Sequence, residues 1–201
     1  MQTNHIVFIQ SVSGKEWEIG EIMHNAIKDN PEYGSCVSYL CYAKNFEELS
    51  QIVDAIINKI DANDNVIIQL VTHSNKEIIA FRDVESQDAN TWNDERPWCC
   101  VGELLEKLYR KYNAHALLIS ISCYSDLYFK SLNSPHINLI GSEGEISSHR
   151  AEEQLFTFYK TLNKVGDFEL SYNTMIQKFP ITEDCESGQT GRAIMRFFKA
   201  I

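Results

Sequence analysis

Val66-Ile67-Ile68-Gln69-Leu70-Val71-Thr72-His73-Ser74 and Ala116-Leu117-Leu118-Ile119-Ser120-Ile121-Ser122-Cys123-Tyr124-Ser125 are two apolar, β-prone runs, each closed by a reactive side chain. Both have the length and β-branched content of a strand buried on both faces. His73 and Cys123 lie 50 positions apart, with a helical segment between them. If the runs are neighbouring parallel strands, their carboxyl ends sit about 5 Å apart. An imidazole then meets a thiol at the sheet edge where open α/β folds place their ligands. Those residue types point to nucleophilic catalysis by a cysteine with a histidine base.

The segments around this pair alternate between the two regular periods. Ile6 to Gln10 reads as a strand, and Lys15 to Lys28 as a helix stopped by Asp29-Asn30-Pro31. Cys36 to Ala43 reads as a strand. Asn45 caps a helix with Glu48 three residues on and a stripe of Leu49, Ile52, Val53, Ile56, Ile57 and Ile60. Past His73, Lys76 to Arg82 is a short β-like stretch. Asp83 to Pro97 is polar and irregular and is the candidate gating loop, with Trp92 and the following Trp98 either packing over the sheet end or lining a cleft. Val101 to Tyr112 is helical. After Cys123 come a short helix over Asp126 to Leu132 and a fifth core strand over His136 to Ile140, closed by Gly141-Ser142-Glu143-Gly144. Helices over Ser148 to Leu162 and Tyr172 to Phe179 and a strand over Ala193 to Phe198 complete the chain. This order predicts a mostly parallel sheet covered by helices on both faces, in one domain spanning 1–201.

Composition narrows the function. Of 201 residues, 44% are hydrophobic and 23% charged, an ordinary globular balance, and the formal net charge is −10. That acidity argues against nucleic-acid or membrane-surface binding, which need clustered Lys and Arg. There is no run of apolar residues long enough for a membrane helix, and Met1 to His5 lacks the basic start of a signal peptide. A cytoplasmic protein is expected, its six cysteines free thiols. There is no Cys-x-x-Cys pair, so a zinc site is not expected. Ser122 and Ser125 are not in a Gly-x-Ser-x-Gly elbow. Ser13-Gly14-Lys15 lacks the earlier glycine of a phosphate loop, and Ser187-Gly188-Gln189-Thr190-Gly191 reads as a turn. His5, His24, His115, His136 and His149 lack the context of His73 and are read as solvated or structural.

The blocks Gln69-Leu70-Val71-Thr72-His73-Ser74 and Ile119-Ser120-Ile121-Ser122-Cys123-Tyr124-Ser125 resemble the His and Cys blocks of caspase-fold cysteine peptidases. The segment Asn138-Leu139-Ile140-Gly141-Ser142 with Glu152 and Phe156-Thr157-Phe158-Tyr159-Lys160-Thr161-Leu162 is similar to the end of bacterial CHAT-type, caspase-like domains. The resemblance spans roughly residues 5 to 180. It implies a three-layer α-β-α caspase-like fold with His and Cys at strand carboxyl ends, and a cytoplasmic cysteine endopeptidase acting on a protein substrate. Cys123 would attack the scissile carbonyl, and His73 would deliver a proton to the leaving amine. The backbone N–H groups of Cys123 and Ser74 would form the oxyanion hole, and the family's mechanism implies no metal and no organic cofactor. The family implies a regulated effector, with a regulatory partner protein, a self-inhibiting loop or self-association.

The chain departs from the family at two places. Ser74 stands where glycine usually follows the His. Ile121 stands where relatives specific for basic residues carry Asp, which leaves Glu143, Glu145 or Asp126 to supply a charge for substrate binding. These departures motivate an alternative, a catalytically inactive interaction module of the same fold. A second alternative is a small α/β nucleotide-binding or nucleotide-processing domain of the flavodoxin or Toll/interleukin-receptor type.

Overall fold

A computed structural model of the chain describes residues 2–12, 19–34, 36–82, 92–132, 135–144, 148–180 and 194–200. Its strands are β1 (Asn4–Ser11), β2 (Val37–Tyr42), β3 (Asn65–Ser74), β4 (Ile78–Phe81), β5 (Asp94–Pro97), β6 (Ala116–Ile121), β7 (Asn138–Glu143) and β8 (Ile194–Phe198). The helices are α1 (Ile19–Ile27), α2 (Phe46–Lys59), α3 (Cys99–Tyr112), α4 (Ser125–Ser131), α5 (Ser148–Val165) and α6 (Phe168–Lys178). The sheet order is β2-β1-β3-β6-β7-β8. The first five of these strands run parallel, and β8 pairs antiparallel with β7.

Residue parity explains the layers, because successive strand side chains point to opposite faces. Ile6, Phe8, Ile67, Val71, Leu117, Ile119 and Ile121 pack with α1, α5 and α6. Val7, Ile9, Val66, Ile68, Leu70, Leu118 and Leu139 pack with α2, α3 and α4. The outcome is the expected α-β-α sandwich with a mostly parallel sheet. Among the described residues no helix is long and apolar enough to cross a membrane.

Local chemistry sets the element ends. Asn45 Oδ1 accepts from the N–H of Glu48 at 2.8 Å, and the Glu48 carboxylate reaches back to the Lys44 N–H at 3.0 Å. This is a capping exchange displaced by one residue. Helix α6 begins at Phe168, four residues before the expected start. Gly166, at φ 68°, ends α5, and Asp167 caps the next helix by accepting from the Leu170 N–H at 2.7 Å. The Gly-Asp pair was the signal, a left-handed stop followed by an N-cap.

Three other expectations need correction. The irregular stretch 83–97 contains a strand at its end: Asp94–Pro97 pairs antiparallel with β4, although Asp-Glu-Arg-Pro has little β preference. Residues 83–91, the greater part of the candidate gating loop, lie outside the described residues, as do residues 15–18 of the first helix. The fifth core strand runs Asn138–Glu143, two residues later than its apolar run suggests. His136 lies before it, stacked on Tyr109 with ring centroids 4.7 Å apart. Gly141 is not a turn residue but sits within β7, where a Cβ would lie 2.7 Å from Phe129 Cδ2 and 2.9 Å from the Asp126 nitrogen. Glycine is required there because α4 lies against the strand. Strand β3 reaches His73 as expected and carries it, with Ser74, into a hairpin with β4, paired with Ala80 and Ile79.

One polar contact crosses the apolar core. Tyr159 Oη of α5 donates to Gln69 Oε1 at 2.8 Å, and both residues are fully buried. Tyr159→Phe strands the Gln69 carbonyl and is expected to cost about 1–3 kcal/mol in urea unfolding. Adding Gln69→Leu to that variant should recover part of the loss.

Candidate active site

The strand register brings the two blocks together. In the β3–β6 ladder Val66 faces Ala116 and Val71 faces Ile121, a constant offset of 50 positions. His73 and Cys123 have the same offset, two residues beyond the last pair. Parity directs both toward the α1, α5 and α6 face, and the half-buried Cys123 packs against that core. After Ile121 the strand ends, Tyr124 takes the left-handed conformation at φ 60°, and α4 begins at Ser125. The Tyr124 N–H donates to the Gly144 carbonyl at 2.9 Å, fastening the turn to the end of β7.

Ser74 ties the two blocks directly, since its hydroxyl donates to the Cys123 carbonyl oxygen. The serine in the usual glycine position therefore holds the cysteine-bearing turn. The direction of its backbone follows from the hairpin. Asn75 N–H donates to the Ile78 carbonyl at 3.0 Å. Antiparallel pairs alternate between bonded and non-bonded types, so His73/Ala80 is a bonded pair and Ser74/Ile79 is not. Strand β4 lies on the β1 side of β3, where the Arg82 N–H reaches Ser11 Oγ at 3.1 Å. The Ser74 N–H thus points away from β4, toward the Cys123 side.

Beneath the turn lies a set of buried hydroxyls. Ser142 Oγ donates toward the Ser122 carbonyl at 2.7 Å and lies 3.2 Å from the Ser120 carbonyl. The Ser142 N–H donates to Ser125 Oγ at 2.8 Å, and Ser120 and Ser122 hydroxyls meet at 2.8 Å. All four serines are at most 1% exposed. Such a network is stabilising only when fully paired, and it then specifies one geometry. Sequence reasoning treated Ser122 and Ser125 only as rejected nucleophiles. The signal for this second role was the recurrence of small polar residues where a buried strand ends.

Electrostatics sets the histidine apart. Burial, and after it the positive charge of Arg82, holds the His73 imidazole below the usual histidine range. His73 is therefore the neutral, proton-accepting form near neutrality. Burial pushes the Cys36, Cys41 and Cys100 thiols up, which makes them poor nucleophiles. Cys185 lies outside the described residues. His5 pairs with Asp64, His24 with Ser38 and His115 with Gln2, while the side chain of His149 lies outside the described residues.

The expected substrate-binding carboxylates separate. Glu143 stands at the end of β7, paired with Arg196 at 2.7 Å, both partners more than one-third exposed. Such a pair is worth little to stability and opens at small cost. Asp126 is fully buried in the first turn of α4. Its Oδ2 lies 2.6 Å from Lys130 Nζ, an ion pair without hydrogen-bond angles, and its Oδ1 has no hydrogen-bond partner among the described residues. Glu145 lies outside the described residues. Among the described residues no group of three His, Cys, Asp or Glu is placed to hold a metal ion.

Neither a family model nor a curated protein matches the sequence. Solved structures do match. A secreted C11 cysteine protease from Bacteroides thetaiotaomicron, solved with an irreversible peptide inhibitor, superposes with a TM-score of 0.64 at 9% identity, over 98% of this chain and 66% of that one. The Drosophila initiator caspase Dronc superposes with a TM-score of 0.59 at 11% identity, over 98% of this chain and 79% of that one. The fold is caspase-like. Within this caspase-like fold the chain spans a little under two thirds of the length of the C11 protease it matches.

Two outcomes are expected. Ser142→Ala breaks the bond to the Ser122 carbonyl and leaves buried acceptors unpaired, costing about 1–3 kcal/mol in urea unfolding. The second concerns pH. The folded His73 titrates below its ordinary value of 6.5, so the unfolded chain takes up the proton first. Its contribution to stability is full above pH 6.5 and is lost as the pH falls through the lower folded value. His73→Gln should flatten that part of the curve of melting temperature against pH.

Proposed function

We propose that the chain is a cysteine endopeptidase of the bacterial CHAT type, acting on a protein substrate in the cytoplasm through His73 and Cys123. The observation that carries the reading is the shared offset of the strand register and the His-Cys pair, reinforced by the Ser74 bond to the Cys123 carbonyl. In this mechanism the Cys123 thiolate attacks the scissile carbonyl carbon, and the carbonyl electrons move onto oxygen. The N–H groups of Ser74 and Cys123 receive that oxyanion, a contribution of about 3–4 kcal/mol per donor in comparable sites. His73, having taken the thiol proton, returns it to the departing amine. Water, deprotonated by the same imidazole, then releases the acyl group from sulfur.

Glu143 is the substrate-facing carboxylate in this reading, exchanging Arg196 for a basic side chain of the substrate. The resemblance to regulated effectors further supports control by a partner protein. The occupied position at Ser74 and the apolar Ile121 favour a second reading, an interaction module without turnover.

Exposure of the wild-type chain to a diverse peptide library, read by mass spectrometry, decides between them. Cleavage is expected, abolished in Cys123→Ala and reduced by about a hundredfold or more in His73→Ala. If the wild type cleaves nothing and Cys123 alkylation has the same pH dependence with and without His73, the interaction module stands instead.

A further inference from the structure

Two side chains that no motif marks, Arg82 and Trp92, meet beside His73 of the candidate dyad. Arg82, just past β4, is only 4% exposed, and its guanidinium lies over the Trp92 ring, 4.2 Å from the centroid. Trp92 in turn meets the His73 ring at a centroid distance of 4.8 Å and an interplanar angle of 62°. The segments carrying them are joined by the Asn93 N–H, which donates to the Phe81 carbonyl at 2.9 Å. Arg82 is further anchored by its backbone bond to Ser11. A cation over the face of an indole is attracted by the ring quadrupole, and tilted aromatic contacts prefer a defined angle. The stack is therefore directional at both of its contacts.

We propose that Trp92 is a positioning residue for His73, holding the imidazole in one tilt at the end of β3 with the Arg82 guanidinium held on the indole face. The proposal rests on the reading of His73 as the proton-transfer group, and it deepens that reading. Trp92 sets the orientation of the ring and keeps water from it. Arg82 opposes a second positive charge on the imidazole. Arg82, beyond β4, is a charged group that acts on His73 after burial, and the register sets Cys123 at the same offset across the β3–β6 seam. Lys76, in the β3–β4 turn, lies over the Tyr124 ring, 5.5 Å from its centroid.

The direction of the effect is fixed by sign. Removing the indole hydrates the imidazole and screens Arg82, and both changes favour the protonated ring. Removing the Arg82 charge acts the same way. The test is an NMR titration of the imidazole Cε1–H resonances of the full chain, with His73 assigned by its loss in His73→Ala. The His73 midpoint should move to higher pH in Trp92→Ala and in Arg82→Met, and Trp92→Phe should return it most of the way. A residue that only supports the fold would leave the midpoint of the folded protein where it was. In peptide cleavage, Trp92→Ala should lower kcat on the order of tenfold with KM little changed, and its acid limb should move up with the midpoint.

An unchanged His73 midpoint in Trp92→Ala overturns the proposal. If that variant does not fold, Trp92→Leu is judged by the same criterion, and if neither folds, an unchanged midpoint in Arg82→Met overturns it. The titration needs no turnover. Absence of cleavage by the wild type therefore counts against the peptidase reading without deciding this one.

Discussion

The parallel hydrogen-bond ladder between β3 and β6 is the constraint on which the rest of the molecule depends. Six registered pairs hold one strand against the other from Val66/Ala116 to Val71/Ile121. A slip of one residue would turn every core side chain of β6 to the wrong face. The two apolar cores, on opposite faces of the sheet, penalise that slip, so the cost of misplacing His73 relative to Cys123 is the cost of unpacking two helical layers. Precision at the site is thus inherited from hydrophobic burial deep in the sheet rather than generated by the site itself.

Beyond the ladder, order must come from other interactions. The turn bearing Cys123 leaves the sheet, and Tyr124 is held at a positive φ that a tyrosine does not favour. Four buried serines, the Tyr124 bond to Gly144 and the Ser74 bond to Cys123 hold that backbone in place. Gly141 completes the arrangement by letting α4 approach β7 at backbone contact distance. A polar cluster in this position stabilises little in net terms. Its consequence is that departures from the paired geometry are costly, which holds the cysteine-bearing turn in one arrangement.

The histidine side is organised differently. His73 belongs to a hairpin that extends past the parallel sheet on the side of β1, and its ring contacts Trp92. Burial, and after it the Arg82 guanidinium, biases the imidazole toward its neutral form. The two halves of the candidate dyad are therefore supported differently, buried serine hydroxyls beneath the cysteine turn and an aromatic-cation stack at the histidine, with the Ser74 hydroxyl joining them.

The sequence by itself determined the order of the main elements, the parallel sheet, the two covering layers and the equal offset that sets His73 and Cys123 at the ends of neighbouring strands. Period and apolar content follow from short-range chemistry that survives without tertiary contacts, and the regular offset between two buried runs is visible in the numbering. Element limits were legible where a cap was read as such, at Asn45, and were displaced where a glycine or a cap was misread, at Gly141 and Asp167. Tertiary structure alone decided that β5 pairs with β4, since its charged sequence is recruited by an available strand edge and not by its own preference. It alone decided that Asp126 is enclosed while Glu143 faces the surface, since burial of a carboxylate depends on what packs over it. It likewise brought Trp92 and Arg82 to His73, because a side-chain stack leaves no period or spacing in the chain.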